Sequence, residues 1–189
     1  MAKTLSTMLE LGTPAPDFAL PDVVTGRTIT LSSFRGDKAL LVMFICRHCP
    51  FVKHVQDELV RLGIDYHGRQ VAIVAISSND VVNHPDDAPH RLKEMAVDLG
   101  FTFPFCFDET QEVAKAYRAA CTPDFFLFDK ERVLAYRGQL DDSRPDNGKP
   151  VNGRDLRAAI DAVLLGRPVG ADQRPSIGCN IKWKPGNEA

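Results

Sequence analysis

The chain has no apolar run approaching the ~20 residues that cross a bilayer, so no transmembrane segment is expected. Its first eighteen residues, Met1 to Phe18, carry one lysine but no apolar core and no plausible cleavage site. The expectation is therefore no signal peptide and a cytoplasmic protein. Cysteine is sparse, at five in 189 residues, which excludes a disulfide scaffold. Net charge is nearly absent: 23 Lys+Arg against 25 Asp+Glu leave −2. That gives no basic stripe for nucleic acid and none for an anionic membrane, and neither is expected as a partner. There is one tryptophan, Trp183. No internal repeat, low-complexity tract or linker divides the chain. What remains, 44% hydrophobic and 25% charged, is ordinary soluble composition, and the length suits one domain over 1–189 with a full core.

One stretch organises the rest. Ala39 to Ile45 is an apolar run of strand length,. Cys46-Arg47-His48-Cys49 follows, and then Val52, Val55, Leu59 and Leu62 fall at helical spacing,. The two cysteines thus sit where a strand turns into a helix. The free N–H groups of a first turn, with the positive end of the helix dipole, stabilise a thiolate there. In known cases such sites lower a cysteine pKa from about 8.5 to roughly 3.5–7.5. Two intervening residues let the second sulfur reach the first. The implied chemistry is reversible dithiol–disulfide exchange, with Cys46 the nucleophile, nearest solvent, and Cys49 the more buried resolving thiol. A cation at Arg47 and an imidazole at His48 would tune that thiolate.

Elsewhere the periodicity predicts a loose arm over residues 1–13 and an edge hairpin made of residues 17–20 and 28–30. A second doubly buried strand spans Val71 to Ile76,. Ser77 to Ala88 reads as a polar loop in which Asp86-Asp87 precede a helix opening at Pro89 and stopped by Gly100,. Phe103 to Phe107 reads as a short strand. Asp108 with Gln111 reads as a capping box for a helix to Tyr117,. Phe125-Phe126-Leu127-Phe128 and residues 133–137 pair as a second hairpin, and a last helix around Leu156 to Leu164 ends before Gly166,. Residues 167–189 show no period and read as an irregular tail. Helices between buried strands imply an α/β architecture with a mixed central sheet.

Strand, C-x-x-C, helix, and a Thr122-Pro123 some seventy residues later before another strand resemble the thioredoxin fold. The N-terminal hairpin extension and the inserted strand–helix segment resemble its redoxin branch, the peroxiredoxins and membrane-tethered thiol-disulfide reductases. More narrowly, Phe44 to Lys53, Cys121 to Asp129 and the tail Pro175 to Lys184 are similar to peroxiredoxin-like, AhpC/TSA-like thioredoxin-family proteins that carry a C-x-x-C; the likeness covers about residues 11 to 185. It implies a cis Thr122–Pro123 bond facing the two sulfurs, with the Thr122 backbone free to pair with an extended substrate. It also implies a disulfide-containing substrate, a thiol electron donor, and no organic cofactor or metal.

The chain departs from thioredoxin in places. Ile45 replaces the tryptophan before the first cysteine, Leu40 replaces the buried aspartate in the strand, and Arg47-His48 replace Gly-Pro. A stabilised thiolate raises the reduction potential, so a value above thioredoxin's, about −270 mV, is expected. The peroxidatic Pro-x-x-x-Thr-x-x-Cys pattern is absent around Cys46 and Cys49. Alternatives stay open: a thiol peroxidase with antioxidant activity, a redox-inactive binding module, or half of a zinc site with His48 and His54 nearby. Cys121 reads as an auxiliary thiol or a small buried hydrophobe. Cys179 reads as a second resolving thiol or as a residue packed under Trp183. Cys106 reads as core, and His54, His84 and His90 as solvated.

Overall fold

The computed structural model describes residues 3–188. In chain order the elements are β1 (Lys3–Leu5), β2 (Ala19–Pro21), β3 (Thr28–Thr30), β4 (Ala39–Phe44), α1 (Pro50–Asp65), β5 (Val71–Ser77), α2 (Pro89–Leu99), β6 (Phe105–Phe107), α3 (Glu112–Ala116), β7 (Cys121–Thr122), β8 (Asp124–Phe128), β9 (Leu134–Gly138), α4 (Arg154–Leu164) and β10 (Ile177–Asn180). The main sheet runs β6-β5-β4-β8-β9. β4 pairs parallel with β5 and antiparallel with β8, as a mixed sheet requires. Every residue of β4 is buried, because both faces are covered.

The strand pleat splits the core in two. Leu41, Met43 and Ile45 join α1, α2 and α4 on one face; Leu40, Val42 and Phe44 meet the β2–β3 hairpin and α3 on the other. Phe125 and Leu127 go to the first face and Phe126 and Phe128 to the second, so this run is one strand buried on both sides. On α1, Val52, Val55, Leu59 and Leu62 form the inward stripe, each burial worth roughly 1.5–3 kcal/mol. Pro50 opens the helix at a position where its missing N–H costs nothing,. Among the described residues no helix is long and apolar enough to cross a membrane.

Several expectations are corrected. The arm of residues 1–13 contains β1, and the tail of residues 167–189 contains β10; the two pair antiparallel, Lys3 opposite Cys179. β10 also pairs with β7, Cys179 opposite Thr122, making a second sheet, β1-β10-β7. A four-residue strand framed by loops has too few residues to show a period. Residues 77–88 form a polar segment that is exposed at Val82, Asn83, Pro85 and Asp86, but Ser77, Ser78, Asn79, Asp80 and Asp87 are buried. The Asp108–Gln111 capping box does not form. Gln111 is itself the N-cap, at φ 65°, and its side chain bonds the Ser78 and Lys182 carbonyls at 2.6 and 2.9 Å.

Candidate active site

β4 and β5 run parallel, so their carboxyl ends open at one edge, where loops from both meet,. Cys46 lies two residues past β4, and Cys49 is the N-cap of α1. The loop after β5 returns Asp87 to the same edge. The Thr122–Pro123 bond is cis, as the resemblance implied, and it faces the sulfurs. Cys46 Sγ is 3.3 Å from Thr122 Oγ1, and Cys49 in its thiol form donates to the Thr122 carbonyl at 3.2 Å.

Both cysteines are buried: Cys46 is 1% exposed and Cys49 0%. The expected solvent-facing Cys46 is therefore not realised. Cys46 is instead packed into the α1-side core, and β10 lies over Thr122, so the Thr122 backbone that was expected to stay free is paired with the chain's own strand.

The electrostatics favour charge on Cys49. Its sulfur accepts from Cys46, from Cys179 and from the Val52 backbone N–H, and these donors hold its pKa down to about 5 against burial. Cys46, which donates to Cys49, is buried and faces the Asp87 charge, and is pushed up. The Val52 bond is the helix-terminus effect expected from the sequence. It reaches the second cysteine, which caps the helix, and not the first.

Arg47 and His48 do not act as bare cations. Asp87, 0% exposed, accepts the Arg47 and His48 backbone N–H groups at 2.8 and 3.2 Å and pairs with His48 Nδ1 at 2.5 Å. Asn79 donates to its other side at 2.7 Å. The hydrogen bond to Asp87 raises the His48 pKa against burial. Burial alone would raise Asp87, but the bonds from His48 and Asn79 hold it below the ordinary carboxylate value. The result is a His48–Asp87 pair clasping the C-x-x-C turn. Arg47 reaches Asp86 at 4.0 Å, and His84 stacks on His48 at 5.6 Å.

Cys46, His48 and Asp87 bring ligand-type atoms within 4.8 Å of one another. That is one ligand short of the usual four for zinc, and Asp87 already spends both oxygens on His48, Asn79 and the backbone. His54 is half-buried on α1 and outside this cluster.

Cys121 is fully buried, bonds the Pro123 carbonyl at 3.7 Å, and is held protonated by burial. Cys106 is core, pushed up to about 12 by burial. Cys179 does not pack under Trp183: it belongs to the α1-side core, while Trp183 lies against the opposite face. Its sulfur sits 2.8 Å from Cys49 Sγ.

Asp87 and Asp124 escaped the sequence reading. Asp87 lies in a loop where acid pairs are ordinarily N-caps. Its one signal was the facing basic pair Arg47-His48. Asp124, directly after Pro123, is wholly buried, and burial pushes its carboxyl well up. It is a buried acid beside the cis-proline, on a different strand from the position where Leu40 replaces the acid of thioredoxin.

The sequence profile of the AhpC/TSA family matches residues 11–137. The chain belongs to the AhpC/TSA family. Among its relatives, the thiol-disulfide oxidoreductase ResA of Geobacillus thermodenitrificans (strain NG80-2) is 30% identical over 129 residues, 67% of this chain and 68% of its own length. A crystal structure of an uncharacterized conserved protein from Geobacillus kaustophilus is 57% identical, superposes with a TM-score of 0.96 and covers 98% of both chains. A putative thiol:disulfide interchange protein DsbE from Chlorobium tepidum shares the fold, with a TM-score of 0.65 at 20% identity over 82% of this chain and 99% of its own. These neighbours make this AhpC/TSA chain a thioredoxin-fold protein. β10 and Cys179 lie beyond the profile-matched residues.

Proposed function

We propose that this AhpC/TSA protein is a thiol-disulfide oxidoreductase that cycles Cys46 and Cys49 between dithiol and disulfide. The observation that carries the reading is the placement of both sulfurs against Thr122 at the cis-proline, 3.3 Å to its hydroxyl and 3.2 Å to its carbonyl. The naming of ResA as a thiol-disulfide oxidoreductase supports it. The reduced pair holds one negative charge, resting on Cys49. Transfer of the Cys46 proton to Cys49 across their shared hydrogen bond makes Cys46 the attacking thiolate. It displaces one sulfur of a substrate disulfide, which leaves as thiolate, and forms a mixed disulfide. Cys49, giving up that proton to the leaving thiolate, attacks Cys46. The second substrate sulfur leaves, and the 46–49 disulfide remains. Two electrons have passed to the substrate, and a thiol donor returns them. Neither an organic cofactor nor a metal enters the scheme.

Reduction of insulin disulfides with dithiothreitol as donor tests the cycle. Cys46→Ser is expected to lose at least about a hundredfold in turnover, and Cys49→Ser to accumulate a mixed disulfide visible by mass spectrometry. Undiminished turnover in Cys46→Ser overturns the reading. Peroxide consumption, measured in parallel, separates it from the sulfenic-acid route of a peroxidase.

A further inference from the structure

Cys179 takes no part in that cycle, yet its sulfur is the near neighbour of Cys49. We infer that Cys179 forms a second, internal disulfide with Cys49, which extends the pair into a relay of three sulfurs. The inference rests on the dithiol reading and adds to it a thiol that the profile-matched residues do not contain.

The distance is the first support. Sγ to Sγ is 2.8 Å, nearer than the ~3.5–4 Å of apolar packing and under 1 Å from a disulfide bond of about 2.05 Å. The second is that the strand is built to hold this sulfur there. β10 is paired on both sides, with β1 and β7. Residue 178 approaches the cis-proline loop so closely that a Cβ on Gly178 would lie 2.0 Å from the Thr122 carbonyl oxygen. Beyond the strand, Asn79 accepts the Lys182 N–H at 2.8 Å, and Gln111 takes the Lys182 carbonyl at 2.9 Å and the Lys184 N–H at 2.8 Å. Before it, Ser176 N–H donates to Ser6 Oγ at 3.0 Å. The third is that the strand lies on Thr122, where an extended substrate would pair.

The step balances as an isomerisation. From the 46–49 disulfide, Cys179 loses its proton and its thiolate attacks Cys49 Sγ. The 46–49 bond breaks as the 49–179 bond forms, and Cys46 leaves as a thiolate that takes up a proton. No electron is gained or lost. The oxidising equivalent is now stored between α1 and β10, Cys46 is a free thiol, and β10 is tied over Thr122, closed to an extended substrate. A donor thiol that attacks Cys179 Sγ expels Cys49 as a thiolate, whose low pKa makes it the better leaving group; a second donor thiol then removes the first from Cys179 as a donor disulfide, and the site is released.

Trypsin reads the connectivity directly. Cleavage after Arg47 puts Cys46 on peptide 39–47, Cys49 on 48–53 and Cys179 on 158–182. The full chain is oxidised with diamide, which accepts the two electrons, then quenched in acid, alkylated and digested. The wild type is expected to show both the 46–49 and the 49–179 crosslinks, the rate at which the second forms growing as pH rises from 6 to 8, on the order of tenfold per unit while Cys179 is mostly protonated. Cys46→Ser, which leaves Cys49 with Cys179 as its sulfur partner in hand, is expected to carry the 49–179 crosslink in most chains. A wild type with 46–49 alone, together with a Cys46→Ser variant lacking 49–179, overturns the relay and leaves the dithiol reading standing. Absence of the 46–49 crosslink overturns both.

Discussion

The C-x-x-C turn is held from two sides by different means. On one side Asp87, a buried carboxylate, collects two backbone N–H groups, the His48 ring and the Asn79 amide. On the other, β10 brings a strand backbone and a sulfur to Thr122 and Cys49. The first clamp fixes the shape of the turn and pairs with its His48 ring. The second covers the Thr122 backbone and sets a third sulfur against Cys49. Positioning and reactivity are thus assigned to opposite walls of one site, and each wall has its own point of failure.

Removing the carboxylate is the largest test. Asp87→Ala leaves an imidazolium and several buried donors without a partner, and breaking such a pair costs about 3–5 kcal/mol. Urea denaturation is expected to show that loss. A loss under 1 kcal/mol would mean the turn keeps its shape without the clamp. The opposite wall should give less. Gly178→Ala drives a methyl into the Thr122 carbonyl, so β10 must lift, at about 1–3 kcal/mol. Alkylation of the reduced Cys49 at neutral pH should then quicken severalfold. An unchanged rate would show that β10 does not limit access.

The smallest effect concerns charge. Thiolate absorbance of the reduced protein should titrate one sulfur near pH 5, that of Cys49, with the midpoint shifted upward in Cys179→Ala because an S–H donor is lost. The folded value lies below that of a free thiol, about 8.5, so stability of the reduced form rises with pH between these limits and is lost as pH falls towards 5. Above 8.5 the raised Cys46 and Cys179 thiols turn the slope downward. A single midpoint near 8.5 would place the charge elsewhere.

The strands and helices were legible where apolar residues repeat over several turns or pleats. β4, β5 and the stripe of α1 have lengths and patterns that few other structures satisfy. β1 and β10 were not legible, because three- and four-residue strands carry no period and gain their hydrogen bonds only from each other and from β7. Gln111 was misread for a related reason: a polar side chain near a helix start is ordinarily a cap, and only folding brings it the Ser78 carbonyl after β5 and the Lys182 carbonyl of the tail instead.

By itself the sequence determined the mixed α/β core and the junction that carries Cys46 and Cys49, since local periodicity and motif spacing suffice for both, while the Thr122-Pro123 that faces them was implied by the resemblance to the thioredoxin fold. Only the tertiary structure decided which sulfur bears the charge, that Asp87 clasps the turn and that Cys179 stands beside Cys49. Those outcomes depend on contacts between residues 40 to 130 positions apart. Such contacts are set by how sheets stack and loops return, and no local pattern encodes them.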